Sequence, residues 1–161
     1  RRVLFRSPCV LRPGGVTVDM LLAVLPEVAV HPSALSPAVP GQAKSPGMLH
    51  RHYAPRARVV VFDAGQAAAC KAAVQQARQA GERPFVLASR ETLAAWGEEP
   101  NVRCWGDRDR PQDLAAALFT SLRRLDDAGA TLILCEGVAP EGLGLAVMNR
   151  LLRAADFCRL E

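Results

Sequence analysis

Half of the 161 residues are hydrophobic and 22% are charged, a balance that supports a buried core and excludes a disordered tail. No apolar run reaches the ~20 uninterrupted residues of a membrane-spanning helix and no export signal opens the chain, so a soluble, cytoplasmic protein is expected, with no membrane partner. The net charge of +4 is uneven: residues 1–58 hold eight Lys or Arg against two acids, and residues 59–161 hold twelve against fourteen. The second part therefore lacks the basic face that gripping an RNA backbone requires, and direct RNA binding is not expected.

In chain order, the opening Arg1-Arg2-Val3-Leu4-Phe5-Arg6-Ser7 looks like translated sequencing-adapter read-through. Residues 1–7 are set aside from the fold argument, and the chain is read as truncated at its amino end. Val10-Leu11-Arg12-Pro13-Gly14-Gly15 then reads as a strand end closing in a turn, with Thr17 capping an apolar helix from Val18 to Leu25. One strand and one helix cannot bury their apolar faces alone, so residues 8–25 are expected to be the remnant of a larger domain.

Pro26, Pro32, Pro37, Pro40, Pro46 and Pro55 punctuate the next stretch, and each removes a backbone donor and fixes φ. Residues 26–57 are expected to form an extended linker or arm with a defined path, not a flexible tether. Within it, Ser45-Pro46-Gly47-Met48-Leu49-His50-Arg51-His52-Tyr53-Ala54-Pro55 gathers two histidines, an arginine and a tyrosine between prolines, which suits an arm reaching into a site on another domain. His50 and His52 lack a third and fourth ligand nearby, so the segment does not read as a metal site.

From Arg58 onward strands alternate with helices. The nearly continuous apolar run Ala57–Phe62 reads as a buried strand, and the Ala- and Gln-rich stretch from Gln66 to Ala80 as a helix stopped at Gly81. Strands over 84–88, 101–105 and 131–135 and helices over 91–96, 111–127 and 142–155 complete the pattern. Such alternation predicts an α/β fold: a small Rossmann-like domain over 58–161, with a largely parallel sheet and helices on both faces, preceded by the Pro-rich arm.

Five widely spaced cysteines without a Cys-x-x-Cys pair read as small apolar side chains, Cys104 and Cys135 inside strands. Gly142-x-Gly144 opening the last helix is a weak anion-site signal, better explained by close packing. Asp107-Arg108-Asp109-Arg110-Pro111-Gln112-Asp113 reads as a solvated helix start, and Trp96 and Trp105 as packing residues. No catalytic residue is assigned.

Ser45-Pro46-Gly47-Met48 followed by His52-Tyr53-x-Pro resembles the interdomain signature of two-domain threonylcarbamoyl-AMP synthases. Leu11-Arg12-Pro13-Gly14 is similar to the last strand and turn of that family's synthase domain, and Gly142–Leu151 to its final helix. The resemblance implies a nucleotidyltransferase that makes threonylcarbamoyl-AMP from L-threonine, bicarbonate and ATP for a tRNA-modifying transferase complex. It further implies that ATP is a substrate, that Mg2+ serves the full-length enzyme without being bound by this fragment, and that the fragment alone is inactive without its amino-terminal synthase domain. Arg12 and Tyr53 are implied to contact ATP, with Ser45, Gly47 and His52 positioning the arm. An arginine fork suits phosphate oxygens, and a tyrosine can stack on a base or donate to phosphate. Without the resemblance, Arg12 reads as a surface ion-pair residue and Tyr53 as a packed ring. The alternative is a non-catalytic Rossmann-like module that senses a nucleotide or binds a partner.

Overall fold

The computed structural model describes residues 8–37, 55–97 and 99–161. Its first part holds β1 (Cys9–Val10), α1 (Val18–Leu22) and β2 (Ala29–Val30), then a 3-10 turn over Pro32–Ala34. Thr17 caps α1 as expected, its Oγ1 accepting from the Met20 N–H at 3.3 Å, but the helix ends three residues earlier than the apolar pattern suggests. β2 was not anticipated among the prolines. It pairs parallel with β1 because Ala29 and His31 keep their N–H groups, which donate to the Pro8 and Val10 carbonyls at 2.9 Å each.

The remainder is the expected α/β alternation: β3 (Arg58–Phe62), α2 (Ala67–Gln79), β4 (Pro84–Ser89), α3 (Arg90–Trp96), β5 (Val102–Gly106), α4 (Pro111–Asp127), β6 (Leu132–Glu136) and α5 (Leu143–Ala154). The strands form one parallel sheet in the order β3-β6-β4-β5. Side chains alternate across it. Val60, Phe62, Val86, Ala88, Leu132 and Leu134 meet α2 and α3 on one face, while Val59, Val61, Phe85, Leu87, Ile133 and Cys135 meet α4 and α5 on the other. Burial on both faces is why these strands read as unbroken apolar runs.

β5 is the exception. It lies at the sheet edge, so only one side is covered, and Cys104 is exposed where a buried strand position was expected. The opposite margin is covered: the N–H of Val61 donates to Cys158 and its carbonyl accepts from Leu160, so the chain end runs along β3. Trp96 and Trp105 are buried as packing residues, Trp96 against Phe62 with the Lys71 ammonium 5.2 Å from its ring.

Helix ends follow their signals. Gly81 takes φ +77°, letting the Glu82 N–H reach back to the Ala77 carbonyl at 2.9 Å, and Gly129 at φ +81° does the same for Ala130 and Leu125. Among the described residues no helix is long and apolar enough to cross a membrane.

Candidate functional site

Two polar arrangements stand out, one where the front segment meets the α/β domain and one at the carboxyl edge of the large sheet.

The first starts from β1 and β2. Their parallel register, Cys9 with Ala29 and Val10 with Val30, brings their carboxyl ends side by side, so exposed Arg12 leaves one strand next to the turn that follows the other. That turn is locked internally. The His31 Nδ1 accepts from the Ser33 N–H at 3.2 Å and lies 2.8 Å from its hydroxyl, and the Ser36 hydroxyl donates to the Pro32 carbonyl at 2.8 Å. Ser33 and Ala34 are buried against α5, and Leu35 packs on the core.

Buried carbonyls need donors, and α5 supplies two. The Asn149 amide, only 2% exposed, donates to the Ala34 carbonyl at 2.7 Å, and the Arg153 guanidinium donates to the Ser33 carbonyl at 3.2 Å. Arg153 also lies 5.8 Å from the Phe157 ring. Burial, reinforced by the Arg12 charge, lowers the Arg153 pKa. Residues 55–57 rejoin the domain elsewhere: Asp126, near the end of α4, accepts from the Ala57 N–H at 2.9 Å and pairs with Arg56 at 3.1 Å. Those hydrogen bonds outweigh the opposing effect of desolvation and hold the Asp126 pKa below the ordinary carboxylate value.

The second arrangement lies between β6 and β4, where successive crossovers go to opposite faces of the sheet. Such switch points are where open α/β sheets commonly take ligands. Glu136 ends β6 with 1% exposure. Its carboxylate accepts from the Ser89 N–H at 2.7 Å, the Thr92 hydroxyl at 3.0 Å and the Arg108 guanidinium at 2.7 Å. Arg108 also donates to the Ser89 and Thr92 hydroxyls, while its backbone N–H is held by Glu91 at 3.1 Å. Arg108 thus turns inward, and the crevice is filled by a satisfied ion pair rather than an open anion site.

Of the residues singled out in the sequence, Arg12 lies beside this first arrangement. Ser45, Gly47, His52 and Tyr53 lie outside the described residues. Asn149, Arg153, Glu136 and Arg108 were not anticipated. An Asn inside the apolar run Leu143–Leu152, and a Glu closing the apolar strand Leu132–Cys135, are the sequence signals that could have found two of them. Arg108 was folded into a solvated helix start, a reading that Arg110 with Asp113 and Arg90 with Asp107 satisfy but Arg108 does not. Gly142 adopts φ +50°, and a Cβ on Gly144 would run into the Ala139 carbonyl, so close backbone approach explains the glycine pair. Among the described residues no three His, Cys, Asp or Glu gather as metal ligands.

Residues 16–156 match the family model for the threonylcarbamoyl-AMP synthase C-terminal domain. The threonylcarbamoyl-AMP synthase of Pyrococcus abyssi is 34% identical over 153 residues, covering 93% of this chain and 43% of that protein. Its Bacillus subtilis namesake is also 34% identical, over 148 residues, covering 92% and 42%. The crystal structure of Pyrococcus abyssi Sua5 complexed with L-threonine superposes with a TM-score of 0.78 at 32% identity, over 95% of this chain and 44% of that one. A variant of the same protein with a consecutive histidine and tyrosine changed to alanine gives a TM-score of 0.79 at 32% identity, over 94% and 42%. The chain spans about two fifths of the length of the curated relatives it matches.

Proposed function

Because this chain belongs to the family of threonylcarbamoyl-AMP synthase C-terminal domains, we propose that it is the carboxy-terminal portion of an enzyme that forms threonylcarbamoyl-AMP from L-threonine, bicarbonate and ATP. The whole enzyme is a cytoplasmic nucleotidyltransferase. A threonine carbamate oxygen attacks the α-phosphorus of ATP, the bond to the departing pyrophosphate breaks, and the adenylate goes on to the machinery that modifies adenosine in tRNA. Residues 8–25 complete the synthase domain that carries the chemistry, residues 26–57 form the linker and arm, and residues 58–161 are the supporting domain. The fragment alone is inactive.

The observation that carries this reading is the position of Arg12. It is exposed, lies within Leu11-Arg12-Pro13-Gly14, and stands where β1 and β2 end together beside the α/β domain. Its fork of donors takes phosphate oxygens of ATP. Tyr53 stacks on the base or donates to phosphate or ribose, with Ser45, Gly47 and His52 shaping its segment. His52-Tyr53 is the one His-Tyr step in this sequence, and an alanine-substituted His-Tyr pair in a solved relative supports its importance. By covering the nucleotide, the arm keeps water from the carbamoyl-phosphate anhydride. In the full-length enzyme, Tyr53→Ala should raise the KM for ATP and increase hydrolytic loss of the adenylate, followed by pyrophosphate release; unchanged kinetics would count against the assignment.

A second reading, a non-catalytic nucleotide-sensing or partner-binding module, draws support from the polar cluster at the switch point between β6 and β4. The inward turn of Arg108 onto Glu136 weighs against it, since the ion pair already occupies the crevice. Titrating ATP into residues 58–161 separates the two, because saturable binding there favours a sensor.

A further inference from the structure

The α/β domain holds the front segment by a route that leads to Arg12. β1 carries Arg12 two residues past its end and is joined to β2 by the Pro8–Ala29 and Val10–His31 hydrogen bonds. β2 runs directly into the turn at residues 32–36, which its own side-chain hydrogen bonds make stiff. That turn is fastened to α5 at two consecutive carbonyls, Ser33 by Arg153 and Ala34 by Asn149. Asn149 and Arg153 are four residues apart and so lie on one face of the helix.

The choice of residue is informative. Asn149 sits among Leu145, Ala146, Val147, Met148, Leu151 and Leu152, all buried, where an apolar side chain would serve packing alone. An amide there matches a specific partner, the Ala34 carbonyl, and fixes which backbone atom docks. Arg153 adds a charged donor to the adjacent carbonyl of the same turn, which follows β2 at the end of the small sheet where Arg12 follows β1.

We propose that Asn149 and Arg153 are positioning residues for ATP use: by clamping the turn at residues 32–36 to α5 they fix, through β2 and β1, where Arg12 presents its guanidinium. The proposal rests on the reading that Arg12 contacts ATP, and it gives the carboxy-terminal domain a defined mechanical task in the reaction. Neither residue touches the reacting atoms. Loss of the clamp acts on the alignment of Arg12 before the nucleotide arrives, so it weakens ATP recognition while leaving threonine recognition alone.

The test uses the full-length enzyme with Arg153→Met, Arg153→Lys, Asn149→Leu and Arg12→Ala, each checked by thermal melting and assayed for KM of ATP, KM of threonine and kcat. Asn149→Leu keeps the volume and removes the donor; Arg153→Lys keeps one donor to Ser33. The expected result is a rise in the ATP KM of roughly five- to tenfold for Arg153→Met and Asn149→Leu, the size of one misaligned charge-assisted contact, with threonine KM held and Arg153→Lys close to wild type. An unchanged ATP KM beside a raised one in Arg12→Ala overturns the clamp and leaves the Arg12 assignment standing. An unchanged ATP KM in Arg12→Ala overturns both. Parallel losses in melting temperature and in all three kinetic constants, without rescue by lysine, assign the pair to stability alone and also overturn it.

Discussion

Glu136 shows how a single charge can be kept inside an apolar sheet. Its carboxylate is taken out of water at the end of β6, which is tolerable because a backbone N–H, a hydroxyl and a guanidinium all point at it. Arg108→Met should therefore cost about 3 kcal/mol in denaturant unfolding, since it leaves the carboxylate unpaired, whereas adding Glu136→Gln should recover part of that loss by removing the charge and keeping an acceptor for Ser89. The cysteines give a second prediction. Burial, aided by the Glu136 charge, pushes the Cys70 thiol up to about 12 and the Cys135 thiol well above its usual value of 9.0. Both stay protonated in the folded state while an unfolded thiol ionises near pH 9, so their contribution to stability is complete below that pH and erodes as pH climbs from about 9 towards 12. Denaturant midpoints should fall between pH 8 and pH 10.5, with a flatter profile in Cys70→Ala. Iodoacetamide at pH 8 should label exposed Cys9, Cys104 and Cys158 in the folded protein, and Cys70 and Cys135 only after denaturation. At this scale the sequence was only partly legible. Cys135 is buried as its strand context suggests, but Cys104 in a similar run is not, because strand order decides which strand lies at the edge. The partner of Arg108 lies 28 residues away, beyond the reach of local pattern.

Elements were more legible than residues, since apolar runs bounded by glycine and proline translate directly into buried strands and capped helices. The four strands and four helices after Arg58 were all legible to within a few residues. What escaped was β2, two residues long and bracketed by Pro26 and Pro32, whose strand character comes wholly from the β1 carbonyls opposite. The last helix illustrates how an element depends on one position. Gly144 lets the preceding loop fold back until the Ala139 carbonyl touches the helix backbone. Gly144→Ala should push that loop away and destabilise the domain by about 1–3 kcal/mol, readable as a lowered melting temperature. The close of α5 works differently, for Asp156 rather than glycine takes the left-handed position at φ +51° and lets the Phe157 N–H reach the Leu152 carbonyl at 2.7 Å.

Across the whole molecule, burial is unequal. The sheet of residues 58–136 has helices on both faces, but Met20 on α1 is 60% exposed and Val24, just past its end, 78%. Exposed apolar side chains grouped on one short segment are a surface suited to covering by another part of a protein. Met20→Glu with Val24→Glu should shift the unfolding free energy of this chain by no more than about 0.5 kcal/mol in a denaturant melt, because both side chains are largely exposed.

The strand order has a final consequence for how the protein is made. β6 lies between β3 and β4, although it is the last of the four to be synthesised. Until Leu132–Glu136 has left the ribosome, β3 has no neighbour on its inner side and the two helix layers have nothing continuous to cover. The α/β domain can therefore close only once translation of the sheet is complete, and a chain stalled before Thr131 should remain bound by chaperones that recognise exposed apolar strands.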